Sequence, residues 1–220
     1  MISGPQNNKF ANERKRMVEH DLKRRGITEA GVVSAMNRLP REEFVPESYE
    51  SQAYDDCPLP IGMGQTISQP YIVALMTQEL RLNNFCEVLE IGTGCGYQTA
   101  ILAKLAKRVY TMERFADLSA RAQAVLGRLG INNVEFYVGD GSAGWYQNKT
   151  FDRIIVTAAM PKVPGQLIDQ LGAGGIIVAP VGQGGVQELI VGTKKVGKLI
   201  ERVICDVRFV KLVGKYAFEE

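Results

Sequence analysis

Three glycines, Gly92, Gly94 and Gly96, stand between an apolar run at 88–91 and a helical pattern at 97–105. Glycine allows positive φ angles and lets a ligand approach the main chain closely. A helix that begins after such a turn presents unpaired N–H groups, which suit an anionic or polar ligand. The spacing therefore predicts a strand, a glycine turn and a helix that together form a ligand site. The alternative is a tight turn that binds nothing.

A carboxylate and the glycine spacing together indicate the kind of ligand. Glu113 follows the next apolar run, roughly 20 residues after the first glycine, where an acid can accept both hydroxyls of an adenosine ribose. A nicotinamide dinucleotide fingerprint has its third glycine three residues after the second, and Tyr97 occupies that position here. We therefore expect a nucleoside ligand and disfavour an NAD-dependent oxidoreductase.

Another acid stands between two glycines. Gly139, Asp140 and Gly141 directly follow an apolar run at 134–138. Asp140 suits a contact with an adenine amino group. It also suits a turn, in which aspartate is favoured for its local hydrogen bonds. On the sequence alone, both interpretations of Asp140 stay open.

The composition is that of a soluble globular protein of 220 residues, of which 45% are hydrophobic and 23% charged. The formal net charge of +2 is too close to neutrality to indicate nucleic acid or a membrane surface as a partner. The four cysteines lack C-x-x-C spacing, so we expect no metal site, no disulfide framework and a reducing compartment. No signal peptide or membrane span is visible, which predicts a cytoplasmic protein.

The single histidine, His20, stands in the charged segment E-H-D-L-K-R-R, which is typical of a solvated helix face. Hydrolases of the Ser-His-Asp and Cys-His types need a histidine beside the nucleophile. The sequence therefore disfavours a histidine-dependent hydrolase. Acidic residues interleave with the basic ones in this region, which also favours a solvated face over a nucleic-acid contact.

Apolar runs and helical patterns alternate after the glycine turn, which predicts an α/β fold with a Rossmann-like, mainly parallel seven-stranded sheet. Only residues 182–185 separate the fifth strand from the sixth, and a parallel crossover needs a dozen or more residues. The last two strands are therefore predicted to be antiparallel, added in sequence to a parallel order of 3-2-1-4-5. Ligands in such sheets bind beyond the carboxyl ends of the strands, where all three turns converge. The strands are predicted at 88–91, 109–112, 134–138, 152–158, 176–181, 186–193 and 199–212.

An N-terminal helical extension precedes this sheet. The patterns predict one helix at 10–25, ended by Gly26, and a second that Thr28 caps and that runs to Leu39. Four prolines between 40 and 63 predict an extended, irregular segment. Ser68 is expected to cap a third helix with Pro70 near its start.

Several stretches resemble the protein-L-isoaspartate (D-aspartate) O-methyltransferase family over roughly residues 17–212. They are R-E-E-F-V-P (41–46), L-P-I-G-M-G-Q-T-I-S-Q-P (59–70), V-L-E-I-G-T-G-C-G-Y-Q-T-A (88–100), V-G-D-G (138–141), F-D-R-I-I-V-T-A-A (151–159) and R-F-V-K-L (208–212). The segment ending in G-Q-T-I-S-Q-P is specific to this family, whereas the glycine turn is shared by many S-adenosylmethionine enzymes.

The resemblance implies a methyltransferase that uses S-adenosyl-L-methionine, releases S-adenosyl-L-homocysteine and methylates the α-carboxyl of L-isoaspartyl residues in damaged proteins, with D-aspartyl residues as a further candidate. Such a reaction initiates protein repair. The partners implied are isoaspartyl-containing proteins and peptides, and we expect a monomer. One methyltransferase domain is expected over 1–220, with a helical and substrate-loop region at 10–80 and a cofactor-binding α/β core at 81–220.

The same resemblance assigns residues to roles, with Ser68 as the active-site residue, which we expect to orient the acceptor and not to form a covalent intermediate. Cofactor contacts are implied for Thr66, Ile67, Ser68, Gly92, Thr93, Gly94, Glu113, Arg114, Gly139, Asp140 and Gly141. Substrate contacts are implied for Leu59, Pro60, Ile61, Gly62, Gln65 and Val210.

Two positions depart from the family pattern. Cys95 stands where serine is usual and, being of similar size, is expected to be tolerated in the turn. Lys211 stands where proline is frequent in the last strand, so the docking of a peptide edge is expected to differ. Two other functions stay open: an S-adenosylmethionine methyltransferase with another acceptor, and a non-catalytic binder of damaged protein.

Overall fold

The N-terminal helix is longer and less regular than the sequence predicts. The computed structural model describes the backbone of residues 5–219 and the side chains of residues 10–219. Helix α1 (Pro5–Arg16) continues through a π-helical turn (Met17–Leu22) and a 3-10 turn (Lys23–Arg25). Gly26 ends it as predicted, with a left-handed φ of 93°.

Helix α2 (Ala30–Arg38) has a different cap from the predicted one. The Glu29 side chain, not that of Thr28, accepts a hydrogen bond from the backbone N–H of Val32, at 2.6 Å. The backbone N–H groups of Thr28 and Glu29 instead donate to Gln78 Oε1, at 2.8 and 3.0 Å. A contact from a distant helix thus fixes where α2 begins.

The proline-rich segment contains more regular structure than expected. Two 3-10 turns, Arg41–Phe44 and Glu47–Gln52, each begin directly after a proline. A hairpin follows, with antiparallel strands β1 (Leu59–Gly62) and β2 (Gln65–Ile67). Pro40 and Pro46 are the N-caps of these turns and have ψ angles of 93° and 148°, so each turn begins at the residue that follows the proline.

Helix α3 (Pro70–Glu79) corrects the prediction for Ser68. Its N-cap is Gln69, and no side chain of its own caps it. The acceptor at the start of the helix is instead Asp56, from an earlier part of the chain, whose Oδ1 accepts the N–H of Tyr71 at 3.1 Å. Ser68 is therefore not needed to start the helix.

The seven-stranded sheet has the predicted order, β5-β4-β3-β6-β7-β8-β9. The first five strands in this order are parallel, and β8 and β9 are antiparallel. Its strands are β3 (Glu87–Ile91), β4 (Arg108–Glu113), β5 (Val134–Val138), β6 (Phe151–Val156), β7 (Leu171–Val181), β8 (Gln187–Lys195) and β9 (Lys198–Val207), and its helices are α4 (Tyr97–Leu105), α5 (Ala116–Arg128) and α6 (Gly165–Gln170).

The end of the chain departs from the predicted last strand. Strand β9 ends at Val207, opposite Gln187, where its partner β8 begins, and the Gln187 side chain then accepts the N–H of Phe209 at Oε1, at 2.8 Å. The following residues turn back along the carboxyl ends of the parallel strands. Ala159 pairs there with Lys211 in an isolated bridge. This return brings residues 210–213 to the edge where ligands are expected.

The N-terminal helices and the sheet share one hydrophobic core. Met17 and Leu22, from the π-helical turn, are fully buried in the same cluster as Val88 of β3 and Val109 of β4. A second cluster lies around Trp145, Phe151 and Leu167. No helix in the described part of the chain is both long and apolar enough to cross a membrane.

Candidate active site

A cavity lies at the carboxyl ends of the parallel strands, where the three predicted turns meet. Parallel pairing aligns Ile91 with Met112 and with Val156, so β3, β4 and β6 end together. The turn residues that line the cavity are Gly92, Thr93, Gly94, Glu113, Arg114, Gly139 and Gly141.

The three glycines of the turn are needed for two different reasons, close packing and access for a ligand. All three have positive φ: 96° at Gly92, 54° at Gly94 and 88° at Gly96. A Cβ at Gly92 would lie 2.3 Å from Thr157 Oγ1, and one at Gly96 would lie 2.8 Å from Leu126 Cδ1. Gly94 has more room, and it lines the cavity. Packing therefore requires two of the glycines, while Gly94 offers bare backbone to a ligand.

The Glu113 carboxylate is held in a fixed position at the cavity wall. Its Oε2 accepts the N–H of Gly94 at 2.9 Å, and its Oε1 accepts the N–H of Phe115 at 3.0 Å. The residue is only 6% exposed. Each carboxylate oxygen has a second lone pair, so Glu113 can still accept hydroxyl groups from a ligand.

Behind the glycine turn lies a buried acid, Glu90, that was not predicted as part of the site from the sequence. Thr93 Oγ1 lies 2.6 Å from Thr111 Oγ1, which donates to Glu90 Oε2 at 2.7 Å. Thr99 donates to the same oxygen at 2.5 Å, while Glu90 Oε1 has no hydrogen-bond partner among the described residues. Burial raises the pKa of Glu90 to about 8, although both hydroxyls lower it. The signal for it was an acid within an apolar strand.

Asp140 is not among the residues that line this cavity, and its carboxylate is hydrogen-bonded to other parts of the protein. Its Oδ1 accepts the N–H and the hydroxyl of Ser142, at 2.8 and 2.6 Å, and its Oδ2 accepts the N–H of Lys215 at 2.8 Å. Burial alone would raise the pKa of Asp140, but these hydrogen bonds outweigh it and the pKa is lowered. The structure thus contains the local turn, and an adenine contact for Asp140 stays a prediction.

Another segment of the chain forms a polar wall of the same cavity. It consists of Gln65, Thr66, Ile67 and Ser68, at β2 and just after it. The Ser68 carbonyl accepts a hydrogen bond from Arg41 Nη2 at 2.9 Å, which holds this segment in place. The structure therefore brings the three residues 66–68 to the cavity that also holds Glu113.

The predicted substrate residues divide into two groups. Gln65 and Val210 line the cavity. The remaining four, Leu59, Pro60, Ile61 and Gly62, form the partner strand β1 and do not line it. Leu59 and Ile61 are buried under the hairpin, whereas Pro60 and Gly62 are exposed.

Some lining residues were not predicted from the sequence. Thr157 and Ala158 follow β6, and Thr157 Oγ1 donates to the carbonyl of Gly92 at 2.6 Å. Lys211 reaches the cavity because the chain turns back after β9. The T-A-A run directly after an apolar strand was a usable signal for the first two, whereas nothing local marks the return of the C-terminal segment.

The cavity offers donors and an acid but no strong base. Its lining includes no histidine, and His20 lies in the exposed part of the π-helical turn. Burial raises the pKa of the Cys95 thiol to about 11 and that of the Tyr97 hydroxyl to about 12, so both are neutral near neutral pH. This arrangement suits a reaction whose nucleophile arrives already ionised.

Comparison with known proteins agrees with this geometry. The family model for protein-L-isoaspartate(D-aspartate) O-methyltransferase matches residues 12–217. This chain belongs to that family. It is 52% identical over 206 residues to the family member of Geobacter metallireducens, covering 93% of this chain and 95% of the relative. It is 48% identical over 207 residues to that of Methanoculleus marisnigri, covering 94% of each.

Solved family structures share the fold over nearly the whole chain. A protein-L-isoaspartate O-methyltransferase structure superimposes with a TM-score of 0.83 and 30% identity, covering 93% of this chain and 67% of the other. A second, from Plasmodium falciparum, was solved in complex with S-adenosyl-L-homocysteine. It gives a TM-score of 0.79 with 29% identity and covers 91% of this chain and 98% of the other. The chain thus has the fold of this methyltransferase family.

Proposed function

We propose that this protein transfers a methyl group from S-adenosyl-L-methionine to the α-carboxyl of L-isoaspartyl residues in damaged proteins and peptides, with D-aspartyl residues as a further candidate substrate. Methylation of this kind initiates repair. One observation carries the proposal: the hydroxyl-bearing segment 66–68 lines the same cavity as the glycine turn and Glu113.

The residues around the cavity fit this cofactor. When bound, S-adenosyl-L-methionine supplies a methyl group on a positively charged sulfur, which is already a good leaving group. Gly92, Thr93 and Gly94 line the cavity and are assigned to its methionine part, although their N–H groups already donate to the Met112 carbonyl and to Glu113. The fixed Glu113 carboxylate suits the ribose hydroxyls. The remaining cofactor contacts are proposed for Arg114, Gly139, Asp140 and Gly141, with Thr66, Ile67 and Ser68 covering the reacting end.

The chemistry requires no base from the protein. An α-carboxyl group has a reference pKa of about 3.3–3.7 and is ionised at neutral pH. Alignment of acceptor and donor then becomes the main task, and positioning can supply roughly 7–11 kcal/mol of a barrier. Hydroxyl groups donate to a carboxylate without removing its charge. We assign this orienting role to Ser68.

The substrate is proposed to bind as an extended peptide across the β1–β2 hairpin. Gln65 and Val210 contact it at the cavity, and Leu59, Pro60, Ile61 and Gly62 shape the surface beside it. Main-chain contacts suit this task because damaged sites occur in many sequences. Strong selectivity for one flanking sequence in a peptide panel would contradict this docking mode.

We also propose one methyltransferase domain over 1–220, acting as a cytoplasmic monomer without nucleic-acid or membrane partners. Residues 10–80 would form the helical and substrate-loop region, and residues 81–220 the cofactor-binding core. The shared hydrophobic core of the two regions supports a single folding unit. Light scattering of the purified chain would test the oligomeric state.

The decisive experiment is transfer of labelled methyl from S-adenosyl-L-methionine to two peptides that differ only in an isoaspartyl or a normal aspartyl linkage. We expect base-labile label on the isoaspartyl peptide alone, which establishes carboxyl methylation and its selectivity. No label on either peptide, with cofactor binding shown by calorimetry, would instead favour another methyl acceptor or a non-catalytic binder.

A further inference from the structure

Arg41 is an arginine with its charge buried directly behind the polar wall of the cavity. Its exposed fraction is 0%. Its Nε donates to the carbonyl of Ala53 at 2.7 Å, and its Nη2 donates to the carbonyl of Ser68 at 2.9 Å. Nη1 is buried and makes no hydrogen bond of normal geometry with the described residues, and the neutral Tyr97 hydroxyl, which also lacks such a partner, is the group that interacts with the guanidinium. Burying a charged group costs free energy unless the group is paired with an opposite charge, so the burial of the Arg41 charge calls for a functional explanation.

No carboxylate among the described residues compensates this charge. The neighbouring acid, Glu42, is instead paired with Arg14, at 3.1 Å, and accepts the hydroxyl of Tyr54. The groups that act electrostatically on Arg41 are Tyr97, Cys95 and Tyr54. Their pKa values are all raised, mainly by burial, so all three are neutral near neutral pH.

Only one layer of residues separates this cation from the cavity. The guanidinium carbon lies 4.8 Å from the centroid of the Tyr97 ring, and Tyr97 lines the cavity together with Ser68 and Cys95. Low-dielectric surroundings preserve the field of a buried charge over such a distance. An anion bound beside Ser68 would therefore be stabilised by this charge.

We propose that Arg41 is a positioning residue whose uncompensated charge, together with its bond to the Ser68 carbonyl, prepares this end of the cavity for the methyl-accepting carboxylate. The donor sulfur of the cofactor is itself a cation, so a second cation here benefits only the anionic acceptor. This inference rests on the proposed acceptor and on the proposed role of Ser68.

The test compares two peptides that differ only in the isoaspartyl α-carboxyl group, which is free in one and a carboxamide in the other. Their dissociation constants are measured with saturating S-adenosyl-L-homocysteine. We expect the native protein to bind the carboxylate at least about tenfold more tightly, which corresponds to about 1.4 kcal/mol. In Arg41→Met this preference falls to less than about threefold, while affinity for S-adenosyl-L-homocysteine changes less than about twofold.

Arg153→Met is the matched control. Arg153 also donates to two backbone carbonyls of one segment, those of Leu80 and Arg81, at 2.5 and 3.3 Å. It lies near the start of β6, at the opposite edge of the sheet from the cavity. This variant is expected to lose stability but to keep the preference for the carboxylate peptide.

Arg41→Lys separates the charge from the hydrogen bonds. It keeps the cation but not the planar pair of donors, so we expect a lower kcat with most of the carboxylate preference retained. An Arg41→Met protein that still binds cofactor and keeps the native preference would overturn the proposal. If Arg41→Met does not fold, a folded Arg41→Lys that binds both peptides equally would do the same.

The native protein also distinguishes failure of this inference from failure of the proposed function. A native enzyme that methylates the isoaspartyl peptide but binds the carboxylate and the carboxamide equally overturns only the role of Arg41. A native protein that neither methylates nor binds the isoaspartyl peptide overturns the acceptor assignment itself, and the role of Arg41 with it.

Discussion

Ser68 lines the cavity, and its hydroxyl makes no hydrogen bond to another side chain or backbone group in the described part of the chain. Helix α3 begins at Pro70 with Gln69 as its N-cap, and Asp56 supplies the missing acceptor at its first turn. The bond that fixes Ser68 in place is made by its carbonyl, not by its side chain. Its hydroxyl therefore remains available to a substrate.

Replacing Ser68 by alanine is expected to slow the reaction without abolishing it. Loss of one hydrogen bond to a charged group costs about 1.5–3 kcal/mol, which lowers kcat roughly ten- to hundredfold. Affinity for S-adenosyl-L-homocysteine and the melting temperature should change little. Steady-state kinetics measures this, with Ser34→Ala on α2 as the control, since the Ser34 hydroxyl bonds to Arg38 alone among the described residues. Complete loss of turnover in a folded, cofactor-binding variant would contradict an orienting role.

Glu90 connects a single titratable group to the stability of the whole fold. Its pKa is raised from 4.5 to about 8, chiefly by burial. Between these two values the folded protein binds a proton that the unfolded chain has released. The free energy of unfolding therefore decreases as the pH rises through this window, by at most about 1.4 kcal/mol per pH unit.

Glu90→Gln should remove this pH dependence. Relative to the native protein, the variant becomes more stable as the pH rises from about 5 to about 8, because glutamine cannot ionise. Urea unfolding at several pH values in this range measures the difference. Glu135→Gln, on β5, where the partly exposed carboxylate pairs with Arg108, serves as the control and should follow the native curve. Parallel curves for the native protein and Glu90→Gln would mean that Glu90 titrates alike in both states.

At the scale of single elements, the glycine turn depends on a contact between strands. Thr157, after β6, fills the space beside Gly92 and donates to the carbonyls of Ile91 and Gly92, at 3.1 and 2.6 Å. The turn is thus held from the neighbouring strand as well as from Glu113. The rigidity of its backbone follows from these bonds, although glycine by itself is the most flexible residue.

Two glycine-to-alanine substitutions should have opposite effects. At Gly92, with a φ of 96°, a Cβ would lie 2.3 Å from Thr157 Oγ1, so Gly92→Ala should destabilise the protein by at least about 2 kcal/mol and weaken cofactor binding. Gly127 lies within α5 with open space around it, so Gly127→Ala should stabilise by about 0.5–1 kcal/mol. Thermal unfolding and calorimetry check both. Equal stability of the two variants would contradict the packing requirement at Gly92.

Over the whole molecule, the site is closed by contacts between residues that are far apart in the chain. Asp140 and Ser142, after β5, accept the N–H groups of Lys215 and Tyr216, at 2.8 and 3.0 Å. The backbone at Val210 likewise accepts the N–H of Ala159, at 2.7 Å. These bonds hold the returning C-terminal segment across the edge of the sheet that carries the cavity.

Asp140→Ala should loosen this segment. We expect hydrogen exchange at the Lys215 and Tyr216 amides to accelerate at least about tenfold, because one acceptor is lost and Ser142 loses its own partner. Asp152→Ala removes a comparable carboxylate from the opposite edge, where it accepts the N–H of Glu87, and should leave these amides unchanged. Unaltered exchange in Asp140→Ala would show that the segment is held by its other contacts.

Local sequence patterns were sufficient to predict the strands of the large sheet. Five parallel strands, their order and the antiparallel end follow from apolar runs, connection lengths and chirality rules, and the structure confirms them. The convergence of the three turns at one edge follows from the same geometry, because parallel strands end together. The predicted cap of α2 and the predicted end of the last strand were wrong. At both places the backbone is hydrogen-bonded to a side chain distant in sequence, that of Gln78 before α2 and that of Gln187 after β9.

The amino-acid sequence by itself determined the fold class, the glycine turn, the acid at Glu113 and the family resemblance, because each depends on residue types at short fixed spacings. Only the tertiary structure decided how Asp140 is bonded, which loop residues line the cavity, and that Arg41 and Glu90 lie buried behind it. The physical reason is that burial and hydrogen-bond partners arise from contacts between distant segments, which no local pattern records.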